Sequence, residues 1–184
     1  MLMNLPNIFS LLRLLLIPVM IAFFYLPIEH AAAITSSIFF IAALTDLLDG
    51  YLARRLQQSS TFGAFIDLVA DKVLVATALI LITESYNSIF ITLPAIIMIA
   101  REIIISALRE WMAEVGRRSS VAVSSVGKFK TTFQMLSIWL YLLQPEGVFL
   151  YIAHFALLVA TILTIWSMCL YLYQAQHDLL KDII

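Results

Sequence analysis

Four aspartates carry the densest chemistry in the chain: Asp46 and Asp49 at i and i+3, then Asp67 and Asp71 at i and i+4. Either spacing sets both carboxylates of a pair on one face of a helix. Two ionised carboxylates 4 Å apart repel by about 4 kcal/mol at an effective dielectric of 20, so such a cluster takes up protons unless cations neutralise it. Hard divalent ions with oxygen ligands resolve the conflict, and the absence of Cys and of nearby His disfavours zinc and copper. Mg²⁺ or Mn²⁺ is the occupant these residues imply; salt bridges to Arg54, Arg55 and Lys72 are the plainer alternative. Small residues lie between the pairs: Gly50, Ala53 and Gly63 let a ligand or a neighbouring backbone come close, and Arg54 offers a planar cation suited to phosphate oxygens.

A second group of charges is basic. Arg101 and Arg109 share a helix face by their spacing, and Lys128 and Lys130 follow on the next element. Glu102 and Glu110 are placed to pair with these arginines. Arg117 and Arg118 read as loop charges that set topology and attract anionic headgroups. Arg13 interrupts an apolar stretch and either reaches a polar site or snorkels to the interface. The single cysteine, Cys169, excludes an internal disulfide and reads as a small buried hydrophobe. His154, Trp166, Trp111 and Tyr86 read as packing or belt residues, and His177 with Asp178 as a solvated tail.

The elements that position these groups follow from composition. The chain has 184 residues, 62% hydrophobic against 12% charged, with a net charge of -1 and a mean hydropathy of +0.99. That balance excludes a soluble globular domain, a disordered tail and a collagen-like repeat, and gives no basic field for nucleic acid. At about 20 residues per span the chain holds roughly six transmembrane helices, and continuous apolar runs argue against a β-barrel. The runs place helices near 5–26, 31–56, 61–83, 88–114, 121–143 and 147–176, in one domain over 1–184. Pro27 to His30, Glu84 to Ser88 and Gln144 to Gly147 are short polar connections; Ser59 to Thr61 and Ser119-Ser120 offer N-caps on the other side. Pro18 and Pro94 fall inside helices, where a bend is expected. All 11 basic residues fall on one side of this arrangement, and the opposite loops carry Glu29, Glu84 and Glu146. The positive-inside rule then puts both termini in the cytosol. The aspartates sit near that interface, where ionised groups mark function by default.

The string Asp46-x2-Asp49-Gly50-x2-Ala53-Arg54-x8-Gly63-x3-Asp67-x3-Asp71 arises by chance on the order of 10⁻¹⁰ per starting position. It resembles the signature of the CDP-alcohol phosphatidyltransferases, and no fixed position departs from that pattern. Asn4-Leu5-Pro6-Asn7, Arg13, the segment Arg101 to Glu110 and the segment Gly127 to Thr132 look like the bacterial phosphatidylglycerophosphate synthase branch of the family. The resemblance covers most of the chain to about residue 135.

This resemblance implies an all-α integral membrane fold of six helices, commonly a homodimer in the bacterial inner membrane, with a polar cavity open to the cytoplasm. It implies that Asp46, Asp49, Asp67 and Asp71 hold two divalent ions, Mg²⁺ or Mn²⁺, and that Asp71 is the general base. Asp49, Gly50, Ala53, Arg54, Gly63 and Asp67 would line the CDP site. The reaction implied is direct transfer of a phosphatidyl group from CDP-diacylglycerol to the primary hydroxyl of sn-glycerol 3-phosphate, releasing CMP, in phosphatidylglycerol and cardiolipin synthesis. A covalent intermediate is not expected, because the motif offers no Ser-His or Cys-His pair. Arg101, Arg109, Lys128 and Lys130 would hold the phosphate of the acceptor.

A cationic acceptor site argues against serine and free inositol but does not separate glycerol phosphate from inositol phosphate. A divalent-cation transporter is a reading of another class, since carboxylates within membranes also mark ion paths. Against it, the aspartates cluster near one face and no polar ladder completes a path. A structural lipid-binding subunit is the third reading; it predicts that Asp71→Asn is harmless.

Overall fold

The computed structural model describes residues 5–56, 61–115 and 125–181. Over these residues the chain is all-helical, with six helices: α1 Leu5–Tyr25, α2 Ala31–Leu56, α3 Thr61–Tyr86, α4 Ile89–Glu114, α5 Ser125–Leu142 and α6 Val148–Lys181. The turns explain where helices stop. Asn87 and Gln144 adopt positive φ of 41° and 52°, and Gly147, at φ 59°, takes the left-handed conformation just before α6. Ser88 opens α4 with an extended backbone and no side-chain cap bond; its carbonyl instead accepts from the amides of Ile91 and Thr92 at 3.0 and 2.9 Å. The serines proposed as caps at 59, 60, 119 and 120 lie outside the described residues, as do Arg117 and Arg118.

Two helices run further than the sequence predicts. α3 continues through Thr83, Glu84 and Ser85 to Tyr86, and α6 continues through His177 and Asp178 to Lys181. Loss of hydrophobicity ends a span but not a helix; neither stretch contains the Gly or Pro that would stop one. α1 and α4 likewise continue through Pro18 and Pro94.

Among the described residues three helices are long and apolar enough to cross a membrane, over Ile8–Tyr25, Ile89–Glu114 and Val148–Tyr173, and α2 is apolar over Ala31–Asp46. The chain is a multi-pass membrane protein. α3 is as apolar on average as α4 but is interrupted by Asp67, Asp71 and Lys72, and α5 is shorter, less apolar and carries Lys128 and Lys130.

Contacts divide the chain into two compact units. The first comprises Met1–Tyr86 and Ile138–Tyr151. Here α1 packs against both α2 and α3. The buried stripe of α1 is Ser10, Arg13, Ile17 and Met20; that of α2 is Ser36, Phe39, Ala42 and Thr45; that of α3 is Gly63, Ala70, Leu74 and Ala78. Positions on each stripe fall three, four or seven residues apart, the spacing of one helix face. Small residues on the stripes let the helices approach closely, which is how helices associate where lipid removes the hydrophobic drive. At the far end Tyr25 donates a hydrogen bond to the Glu84 carboxylate, Ser36 donates to the Trp139 carbonyl at 3.0 Å, and Gln144 donates to Ser85 at 3.0 Å.

The second unit comprises Asn87–Ser137 and Ile152–Ile184. On α4 the buried residues are Ile91, Ala95, Met98, Arg101, Ile105, Leu108 and Met112, again one stripe. On α6 the buried face includes Ala153, Ala156, Ala160, Thr164, Ser167 and Tyr171. Ile105, Leu108 and Met112 pack with Tyr171, flanked by Trp111 and Met168. The buried hydroxyls of Thr164 and Ser167 donate to carbonyls of their own helix, Ala160 at 2.6 Å and Thr164 at 3.0 Å, so they are buried without an orphaned donor.

Cys169 corrects one expectation: it is exposed, beside a groove of about 560 Å³ lined by Ile162, Ile165, Trp166, Leu170 and Tyr173. It falls between Ser167 and Tyr171 and so faces away from the buried stripe. Lipid solvates an apolar helix face as well as protein does, so hydrophobicity alone does not say which face is interior.

Candidate active site

The seam between α1, α2 and α3 changes character along its length. It is apolar where Ile17, Met20, Phe39, Ala42, Leu74 and Ala78 meet, and turns polar at Ser10 and Arg13 on α1, Thr45 and Asp46 on α2, and Gly63 and Asp67 on α3. The periodicity of each helix delivers these groups, because each lies one or two turns along the stripe that already packs the unit. The result is a charge cluster. Arg13 is 0% exposed, and its Nη1 lies 3.0 Å from Oδ1 of Asp46 and 3.0 Å from Oδ1 of Asp67. Ser10, one turn earlier on α1, donates to the same Asp67 oxygen at 3.4 Å.

The carboxylates are less buried than the guanidinium: the Asp46 and Asp67 side chains are 33% and 44% exposed. They open outward while their shared cation is sealed behind them. Asp71 follows Asp67 on α3 and is half-buried. The donor set is oxygen only, from two helices, which suits a hard divalent ion. Among the described residues no three His, Cys, Asp or Glu side chains gather at metal-ligand spacing. Arg13 is the cation that bridges Asp46 and Asp67.

The basic residues of the second unit form a separate cluster around one acid. Glu102 on α4 lies 3.0 Å from Nη1 of Arg101 and accepts a hydrogen bond from Nζ of Lys130 on α5. Arg101 and Lys130 are both buried, and Arg101 Nη2 donates to Ser167 Oγ at 3.3 Å. The Arg101 Nε has no hydrogen-bond partner among the described residues. Tyr171 lies against both arginines: Arg101 Cζ is 5.5 Å and Arg109 Cζ 5.4 Å from its ring centroid, and Arg109 Nη2 donates to its hydroxyl at 3.3 Å. Arg109 itself is exposed.

Residues 3–166 match the family model described as CDP-alcohol phosphatidyltransferase. The chain belongs to the CDP-alcohol phosphatidyltransferase family. Among its relatives in this family is a protein of Pectobacterium atrosepticum, 56% identical over 178 residues, which covers 97% of this chain and 98% of the relative. Proteins of Sodalis glossinidius and Salmonella typhimurium are each 55% identical over 179 residues, with the same coverage of 97% and 98%. All three carry the name CDP-diacylglycerol--glycerol-3-phosphate 3-phosphatidyltransferase.

Of the phosphatidyltransferase signature, the structure brings Asp46 and Asp67 together and buries Gly63 in the first turn of α3, with Asp71 one turn beyond Asp67. Asp49, Gly50, Ala53 and Arg54 continue α2 past Asp46, but their side chains lie outside the described residues, as does that of Lys128 on α5. Of the basic group, Arg101 and Lys130 meet at Glu102, and Arg101 and Arg109 meet at Tyr171. Of the two readings of Arg13, the structure selects the polar site over snorkelling. Sequence reasoning missed Ser10, Ser167 and Tyr171. Ser10 and Arg13 are one turn apart, as are Ser167 and Tyr171, and such polar pairs within apolar helices were the available signal.

Proposed function

We propose that this protein is a phosphatidylglycerophosphate synthase: it transfers the phosphatidyl group of CDP-diacylglycerol to the primary hydroxyl of sn-glycerol 3-phosphate and releases CMP. Membership of a family that is typically metal-dependent, and full-length relatives bearing that activity in their names, support the reading. The geometric observation that carries it is the meeting of Asp46 and Asp67 from α2 and α3 on one cation. It brings the two halves of the acidic signature to the same end of one helix seam.

In this mechanism Asp46, Asp49, Asp67 and Asp71 hold two divalent ions, Mg²⁺ or Mn²⁺. When bound, the ions neutralise the donor's diphosphate and the charge that develops on departing CMP. Gly50, Ala53 and Gly63 admit the nucleotide close to the backbone, and Arg54 pairs with phosphate oxygens. Asp71 takes the proton from the acceptor hydroxyl as its oxygen forms a bond to the phosphorus that bears diacylglycerol. The bond from that phosphorus to the bridging oxygen breaks, and CMP leaves with that oxygen. Arg101, Arg109, Lys128 and Lys130 hold the acceptor phosphate, with Glu102 keeping Arg101 and Lys130 in place.

The same reading places all six helices across the inner membrane as one domain, with both termini and a polar cavity on the cytoplasmic side, and takes the protein to work as a homodimer. The confinement of all 11 basic residues to one side of the helix order supports the orientation. Labelled CMP release by purified protein, with sn-glycerol 3-phosphate or inositol phosphate offered as acceptor, tests the function. Release dependent on glycerol phosphate is expected; release with inositol phosphate alone overturns the acceptor assignment.

A further inference from the structure

We propose that Arg13 is an exchangeable internal counter-ion of the acidic cluster: its guanidinium pairs with Asp46 and Asp67, yields them to a divalent ion, and then pairs with the donor's diphosphate. This rests on the assignment of divalent ions to Asp46 and Asp67 above. Arg13 is 0% exposed, and a single nitrogen, Nη1, stands 3.0 Å from one oxygen of each carboxylate. An ion bound at about 2.1 Å to either oxygen would lie within about 5 Å of Nη1, where two positive centres in a low-dielectric helix seam repel. The two cations therefore compete for the same oxygens.

The surroundings favour exchange over a fixed structural bridge. Asp46 and Asp67 are a third or more exposed, so an ion reaches their oxygens from outside while Arg13 holds them from within. Ser10 donates to the same Asp67 oxygen at 3.4 Å, so that carboxylate keeps a protein partner when the guanidinium leaves. Once displaced, the planar fork of Arg13 matches the oxygens of a diphosphate, and it would reach them only after the ion has arrived. Loading of the ion and capture of the donor thus become linked through one side chain.

The test is Mn²⁺ titration of the purified full chain, followed by electron paramagnetic resonance, for wild type, Arg13→Gln and Arg13→Lys. Arg13→Gln is expected to bind Mn²⁺ about tenfold more tightly than wild type, and Arg13→Lys, which keeps the charge, to stay within about threefold. Unchanged or weaker binding by Arg13→Gln would overturn the proposal while leaving the metal assignment intact; a wild type that binds no Mn²⁺ would remove that assignment itself. A second measurement needs no variant. Labelling of Arg13 by phenylglyoxal, read by mass spectrometry on wild type, should rise several-fold when Mn²⁺ is added, and labelling that does not change contradicts the exchange.

Discussion

In the first unit one guanidinium is shared by two carboxylates; in the second, one carboxylate is shared by two cations. Arg13 between Asp46 and Asp67 leaves a unit of negative charge, and Glu102 between Arg101 and Lys130 leaves a unit of positive charge. The burial is also reversed. In the acidic trio the lone cation is sealed and the acids are partly open, whereas in the basic trio the two cations are buried and the lone acid is 26% exposed. A charge held inside a bilayer protein needs a partner, and each cluster meets that need while keeping an excess of one sign. The excess is of the sign that each proposed ligand requires: negative at the aspartates for a divalent ion, positive at the arginines for the acceptor phosphate.

The contrast can be broken from either side. The largest effect is expected from Asp71→Asn, which removes the proposed general base yet keeps the shape of the side chain. Turnover should fall on the order of 10³-fold while the protein elutes and melts as a folded membrane protein. CMP release and a thermal-shift assay check both halves, and retained turnover would contradict the role given to Asp71. On the basic side, Glu102→Gln leaves Arg101 and Lys130 buried without their shared acid. A destabilisation on the order of 3 kcal/mol is expected, read as a lower melting temperature in detergent, together with a raised KM for sn-glycerol 3-phosphate. If KM for CDP-diacylglycerol rose instead, the division of labour between the two clusters would be wrong.

Tyr171→Phe gives the smallest effect. It keeps the ring against both arginines and removes only the hydroxyl that accepts from exposed Arg109 at 3.3 Å. A neutral partner at a partly exposed site is worth about 1 kcal/mol, so a rise of about fivefold in acceptor KM with little change in kcat is expected from steady-state kinetics.

The acidic side was legible in the sequence for a physical reason. Carboxylates are costly in apolar helices, and the spacing of Asp46, Asp49, Asp67 and Asp71 fixes their faces without any knowledge of packing. Helix number and all but the ends of α3 and α6 were legible for the same reason, from hydropathy and turn residues. Partner choice was not. Nothing local says that Arg13 meets Asp46 and Asp67 rather than water at the interface, because that contact joins residues 33 and 54 positions apart through the packing of three helices. The same holds for Tyr171, whose place beside the arginines of α4 follows only from the packing of α6 against α4. Cys169 failed differently: its helix is apolar around most of its circumference, and only the small polar stripe of Thr164 and Ser167 marks the face that is buried, away from Cys169.

The central claim is that excess negative charge at the end of the α1–α2–α3 seam is there to hold divalent ions for the donor diphosphate. Its most direct test is CMP release from CDP-diacylglycerol and sn-glycerol 3-phosphate by the purified protein after exhaustive chelation. Activity should vanish and return when Mg²⁺ or Mn²⁺ is restored, whereas full turnover in the chelator would contradict the account.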